Sequence, residues 1–271
     1  MNVWLNGAIV PEDEAHFAIT DHGALVGDGV IETFLARSGV VRDLDAHLAR
    51  LRDSCEWMGI DLPDGDGELR DAIAQLSETA GSATLRMRIT VTSGEGPAGL
   101  MRGAGRRTLL ITAVPHTPND RPLTAVTLPW RRNEHSPTAG LKTLSMAENV
   151  LALTYAGPAD EGIWLNTRGE LCEGTISNVF LDFGDRIVTP PLSSGCLPGV
   201  ARAGVLRAAR NGGVPIAEEK LDGAELDRVR AGEVGMFLTN AVRGIAVVAE
   251  LDGHEVRHGE LTARLIAAFS A

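Results

Sequence analysis

Lysine is nearly missing from this chain of 271 residues, with Lys142 and Lys220 the two present among 25 lysines and arginines. A sequence that takes almost all its positive charge from arginine gives each lysine a claim to a chemical explanation, because lysine can form a Schiff base and arginine cannot. The three cysteines, Cys55, Cys172 and Cys196, are odd in number, far apart and without ligand spacing. They read as reduced thiols and exclude a disulfide framework. The seven histidines show no paired metal spacing, so no metal site is expected. There is no basic run, and the formal net charge of -11 works against nucleic-acid or anionic-membrane binding while leaving room for a local basic pocket around a small anion. No apolar stretch is long enough to span a bilayer, and the N-terminal residues lack the pattern of a secretory signal. A cytoplasmic protein is expected. Hydrophobic content of 44% suffices for a real core in one domain or two.

The chain opens with two short strands around Asn6-Gly7, a hairpin turn pair. Gly27-Asp28-Gly29 leads into the strand GVIETFLAR; alone, that triplet reads as a tight turn. Asp43 or Asp45 caps the next helix, whose apolar stripe is Leu44, Leu48, Leu51, Cys55 and Met58. Arg50 lies off the stripe beside His47 and Ser54, aimed at a phosphate or simply at water. A helix over Gly67–Thr79 follows, then a strand with Leu85, Met87, Ile89 and Val91 on one face and Arg86 and Arg88 on the other. A glycine-rich loop and another strand precede PHTPNDRP, residues 115–122, the best linker candidate. A boundary there divides the chain into 1–117 and 118–271. The second part reads as a strand, the Lys142 stretch with its helix, three strand-like runs, a glycine-stopped helix from Val200, a short amphipathic helix, two closing strands and a last helix running to Ala271.

Lys142 sits between Leu141 and Leu144, ahead of a helix in which Met146, Val150 and Leu153 have the spacing of a buried stripe. An ammonium in such apolar company has a lowered pKa and becomes a nucleophile and proton carrier at neutral pH. Three further features converge with it. Glu173 enters a core-bound strand, where a carboxylate needs a cationic partner, and Thr175, Ser177 and Asn178 follow, each able to satisfy buried polar groups. GCLPGVARAGV delivers backbone N–H groups at a helix start, an anion seat. LTNAVRG ends a strand on Thr239 and Asn240, donors suited to phosphate oxygens. A lysine nucleophile, a buried acid and an anion seat together fit pyridoxal phosphate, with its aldehyde, protonated ring nitrogen and phosphate.

The runs GDGVIETF, HLARLRDS, GLKTLSMAENVLA, DEGIWLNTRGELCEGTISNVFL, GCLPGVAR and FLTNAVRG, in that order, resemble the class IV aminotransferase family over nearly the whole chain. The resemblance implies the α+β fold type IV of pyridoxal-phosphate enzymes: a small N-terminal α+β domain, a larger C-terminal pseudobarrel domain, a homodimer, and a small-molecule amino substrate. It implies Lys142 as the Schiff-base lysine, Glu173 opposite the pyridine nitrogen and Arg50 on the phosphate, with the backbone of Val200 and Ala201, and Asn240 with Ala241, completing the phosphate cup. Within the family the motifs look most like 4-amino-4-deoxychorismate lyase of folate biosynthesis. Where D-amino-acid transaminases carry a tyrosine in the GDGVYE-type strand this chain has Ile31, which argues against close kinship to them; the alternative is a class IV transaminase of branched-chain, D-amino-acid or amine type, and behind it a cofactor-free scaffold on the same fold. Arg86, Arg88, Arg102 and Arg106 are candidates for holding a substrate carboxylate. Lys220, following Glu218 and Glu219, is expected on a solvated run.

Overall fold

The structure is a computed structural model that describes residues 1–62 and 65–270. Its contacts divide into two compact units, one of Met1–Pro118 with Leu141–Met146, the other of Asn119–Gly140 with Ala147–Ala271. Ala271 itself, the last residue of the expected final helix, lies outside the described residues.

In the first unit, β1 (Asn2–Leu5) and β2 (Ala8–Pro11) form the expected hairpin. Asn6 and Gly7 both have positive φ, as a two-residue hairpin turn requires. There follow α1 (His22–Val26), β3 (Gly29–Arg37), β4 (Val40–Val41), α2 (Leu44–Met58), α3 (Gly67–Thr79), β5 (Thr84–Thr92) and β6 (Leu109–Pro115). The strands make one antiparallel sheet in the order β2-β1-β6-β5-β3-β4. The alternation expected in β5 holds: Leu85, Met87, Ile89 and Val91 are buried, Arg86 exposed and Arg88 half-buried. Helix α2 buries Leu48, Leu51 and Cys55 with the neighbouring flank of His47 and Ser54, so its inward face is wider than the apolar stripe. Asp43 takes the N-cap position in a left-handed conformation without a side-chain cap bond, while Asp45 in the first turn pairs with Arg70.

The second unit holds β7 (Leu123–Arg132), α4 (Ala147–Ala156), β8 (Glu161–Asn166), β9 (Leu171–Gly174), β10 (Asn178–Asp182), β11 (Ile187–Thr189), α5 (Val200–Asn211), β12 (Ile216–Glu218), α6 (Gly223–Arg230), β13 (Gly235–Asn240), β14 (Gly244–Leu251), β15 (His254–Glu255) and α7 (Glu260–Ser270). Its sheet runs β12-β11-β10-β13-β14-β7-β8-β9, with β15 on β14. The pairs β11/β12, β14/β7 and β7/β8 are parallel, the others antiparallel. One face packs Phe180, Ile187 and Phe237 against α5 and α7 through Val205, Ala209, Leu261 and Leu265. Phe180 and Phe237 stack with ring centroids 4.8 Å apart, an arrangement that adds to simple burial. A second core gathers Ile163, Leu165, Leu171, Val179, Leu181 and Leu238 with Leu226 and Val229 of α6. Every residue of β8 is buried, the mark of a strand covered on both faces.

Helix α4 corrects one expectation. Met146 is half-buried, but Val150 and Leu153 are exposed, and the buried residues are Ala152 and Ala156. Two alanines four residues apart lie on one face of the helix. That small face lets the helix backbone approach β7 and β8, so the large side chains turn outward.

Candidate functional site

Lys142 lies in an extended stretch that bonds to β3. Ile31 N–H donates to the Lys142 carbonyl at 2.9 Å and Leu144 N–H to the Gly29 carbonyl at 2.8 Å, around a bridge between Val30 and Thr143. The Gly27-Asp28-Gly29 triplet makes that pairing possible. Gly27 ends α1 in the left-handed conformation with φ 71°, and Ser145 Oγ donates to its carbonyl. A Cβ on Gly27 would fall 3.2 Å from Ser145 Cα, so a glycine there admits the lysine-bearing stretch, while a Cβ on Gly29 would fall 2.5 Å from the Val91 carbonyl oxygen and push β5 away.

The residue after Ile31 organises Arg50. Glu32 is fully buried and accepts from Arg50 Nε at 2.7 Å, from Arg50 Nη2 at 2.8 Å and from His47 Nδ1 at 2.9 Å. Burial alone would raise its pKa, but the His47 and Arg50 bonds outweigh that and hold the carboxyl below its ordinary value. Arg50 therefore does not point to water: its side chain is 11% exposed and forked onto an acid. The signal for Glu32 in the sequence is an acid inside the apolar run VIETFL.

In the second unit Glu173 faces Trp164 across the β8/β9 ladder. Its Oε2 accepts from Leu197 N–H at 2.9 Å, and its Oε1 lies 3.5 Å from Arg132 Nε. Arg132, which stacks over the Trp164 ring at 4.6 Å, supplies the cationic partner that a carboxylate there requires. Two residues beyond Leu197 the chain reaches Gly199, whose added Cβ would lie 2.0 Å from Asn178 Oδ1. Asn178 pairs with Thr239 across β10 and β13. Glu173, the start of α5 at Val200 and Ala201, and the end of β13 at Thr239, Asn240 and Ala241 are thus consecutive neighbours in space.

This cluster fits a phosphate. The first N–H groups of a helix lack partners within it and carry its positive dipole end. Helix α5 has no acid in its first turn and no side-chain cap. Thr239 Oγ1 is buried and has no hydrogen-bond partner among the described residues, which suits a donor to a bound acceptor. The Asn240 side chain, by contrast, is committed within the protein. Its Oδ1 accepts from Val242 and Arg243 N–H, and its Nδ2 donates to Ser177 Oγ. Thr175 and Asn178 satisfy backbone groups, as expected of them: Thr175 Oγ1 bonds Gly162, and Asn178 Nδ2 donates to the Leu197 carbonyl.

One member of the cluster escaped the sequence. Glu161 at the start of β8 is 2% exposed, accepts from Ser177 Oγ at 2.6 Å and from Ile176 N–H at 3.2 Å, and has its pKa pushed up to about 7 by burial, with the nearby Glu173 charge adding to the rise. Its signal was an acid opening an otherwise apolar strand, the same signal as Glu32.

The remaining candidates separate. Arg102 is committed to Asp28, at 2.5 and 2.6 Å, and to the carbonyls of Met58 and Gly59 that end α2. Arg86 and Arg106 are exposed, while Arg88 is half-buried with its Nε on Thr90 Oγ1. Lys220 is exposed and paired with Glu170 at 2.9 Å.

The sequence profile of the family described as amino-transferase class IV matches residues 29–251. A Methanocaldococcus jannaschii protein provisionally named a branched-chain-amino-acid aminotransferase is 33% identical over 98% of this chain and 94% of its own length. The aminodeoxychorismate lyase of Bacillus subtilis is 29% identical over 95% of this chain and 88% of its own. The PLP-bound form of a hypothetical aminotransferase from Mycobacterium tuberculosis superposes with a TM-score of 0.85 at 25% identity, covering 99% of each chain. With a family match across most of its length, relatives that span it almost end to end and a donor cluster suited to the cofactor's phosphate, the chain belongs to the class IV aminotransferases, pyridoxal-phosphate enzymes of α+β fold type IV.

Proposed function

We propose that this enzyme is a 4-amino-4-deoxychorismate lyase, releasing pyruvate and 4-aminobenzoate for folate synthesis. The observation that carries the reading is Ile31: the β3 residue bonded to the Lys142 backbone is a buried aliphatic, and the one tyrosine of the chain, Tyr155, is exposed on α4. The lyase relative from Bacillus subtilis supports it. The cofactor supplies an electron sink for a carbon that loses a proton. Lys142 carries the covalent attachment and moves that proton. Glu173, steadied by Arg132 and the Leu197 N–H, is the acid for the pyridine nitrogen. For the phosphate the first unit offers Arg50, forked by Glu32, and the second offers the N–H groups of Val200 and Ala201 with Asn240 and Ala241.

The 33% identical relative supports a second reading, amino transfer to a 2-oxo acid. A transaminase stalls after one half-reaction until an oxo acid arrives, whereas the lyase leaves the amino group on its product and is ready again. Purified enzyme given aminodeoxychorismate alone should produce pyruvate and 4-aminobenzoate in equal amounts over many turnovers. No product from it, with sustained transfer from branched-chain or D-amino acids to 2-oxoglutarate, establishes the second reading instead. We further propose that the domains divide at 117/118, that the protein is cytoplasmic, and that it works as a homodimer. The exposed Val150, Leu151 and Tyr155 of α4 support the dimer, since clustered exposed apolar residues favour covering by a partner.

A further inference from the structure

A line of hydrogen bonds runs from the turn after β13 into the core of the second unit, and its direction is fixed. Asn240 Oδ1 accepts from two backbone N–H groups, Val242 at 3.0 Å and Arg243 at 2.9 Å. The amide is thereby oriented, and Nδ2 must be the end that donates to Ser177 Oγ at 3.1 Å. The Ser177 hydroxyl, having accepted there, gives its own proton to Glu161 Oε1 at 2.6 Å. Glu161 is the terminal acceptor of the line, buried in β8 and 79 positions before Asn240 in the sequence. The Ala241–Arg243 turn closes on Gly244, which pairs with Asn240 at φ 70°, so the amide of Asn240 is what sets the turn's backbone.

We propose that Glu161 is a positioning residue for the cofactor phosphate, acting through Ser177 and Asn240 on the turn Ala241–Arg243. The inference rests on the proposed placement of the phosphate at this turn and the start of α5. Among the described residues the hydrogen bonds of Glu161 come from the Ser177 hydroxyl and from backbone at Ile176 and Thr175, none from a cationic side chain, and the charged group acting on it is Glu173 of β9. Burial, with the Glu173 charge adding to it, pushes the Glu161 carboxyl up to about 7. Ionisation strengthens its pull on the Ser177 proton, which makes Ser177 Oγ a better acceptor for Asn240. The turn is held more firmly above that pH than below it.

The test resolves and reloads the holoenzyme of the wild type and of Ser177→Ala, Glu161→Gln and Asn240→Ala. Dissociation constants for pyridoxal phosphate and for pyridoxal, which has no phosphate, are measured from pH 6 to 8.5. Ser177→Ala should weaken pyridoxal phosphate roughly three- to ten-fold, the net worth of one neutral hydrogen bond, and leave pyridoxal unchanged. The preference of wild type for the phosphorylated form should rise through pH 7 relative to that of Glu161→Gln, whose isosteric amide keeps the fold and cannot titrate. Equal losses for both ligands, or wild-type constants at every pH in Ser177→Ala and Glu161→Gln while Asn240→Ala binds more weakly, would overturn the role of Glu161. Unchanged binding of pyridoxal phosphate in Asn240→Ala would instead overturn the phosphate placement, and the inference with it.

Discussion

Two glutamates, one in each unit, are buried almost completely and have their pKa values moved in opposite directions. Glu32 in β3 has a guanidinium and an imidazole on its oxygens and is held ionised. Glu161 in β8 has a hydroxyl, a backbone N–H and a second carboxylate nearby, and is pushed up to about 7. Depth is the same for both, so burial does not decide the charge; the partners do. The first unit fixes a cation next to a permanently ionised acid, while the second holds an acid able to change charge near neutral pH. The first arrangement suits gripping a phosphate at any physiological pH, and the second suits modulating a grip.

The sharpest way to break the comparison is to remove the lysine proposed to carry the chemistry of the first unit. Lys142→Ala should lower turnover at least about 10²–10⁴-fold, the usual worth of a positioned proton-transfer group, and abolish cofactor labelling on borohydride reduction. Label recovered on Lys220 would overturn the assignment. Next in size, Glu32→Gln leaves Arg50 without its buried counter-charge and should cost about 3–5 kcal/mol of stability, as breaking a buried pair does. Denaturant unfolding reads the loss, and a change below about 1 kcal/mol would show that Glu32 is dispensable to Arg50.

The two acids also predict opposite pH responses. Glu32, depressed when folded, contributes stability present above the ordinary glutamate value of 4.5 and lost as pH falls through its lowered folded value. Glu161, raised when folded, contributes stability present below 4.5 and lost as pH climbs through about 7. Across that interval its loss is roughly 3 kcal/mol at most. Melting curves from pH 4.5 to 8.5 should be flatter in Glu161→Gln than in wild type; parallel curves would place the wild-type slope elsewhere. Smallest in its effect on binding is Arg50→Ala, which should weaken cofactor binding by about 1.5–3 kcal/mol, the range for a charge-assisted hydrogen bond, besides a loss of stability like that of Glu32→Gln, since it breaks the same buried pair. Equilibrium cofactor titration checks it, and unchanged affinity would return Arg50 to a purely structural partner of Glu32.

Elements whose signal is local were legible in advance. The Asn6-Gly7 hairpin, the alternation of β5, the stripe of α2 and the glycine stop of α5 each follow from backbone preference or from the period of side chains along one element. Helix α4 was misjudged because its apolar positions are real but face outward; which face of a helix is buried depends on what it packs against, and here alanines fit the sheet. The sequence does not decide between phosphate and water for Arg50, because its partner Glu32 lies 18 positions earlier, across a strand and a turn.

What the sequence determined by itself is the inventory of chemistry: one lysine in apolar company, an acid in a core strand, a helix start without acids, and a strand ending in Thr239 and Asn240. These are properties of residue type and short spacing, which survive without coordinates. The tertiary structure decided how that inventory is wired. Gly27 admits the Lys142 stretch beside β3, Glu32 turns Arg50 inward, Arg132 answers Glu173, and a hydrogen-bonded line joins Asn240 to Glu161. Strand pairing brings together residues dozens of positions apart, and a carboxyl's charge is set by whatever it then meets, so neither the wiring nor the split between Glu32 and Glu161 is written in any local stretch of the chain.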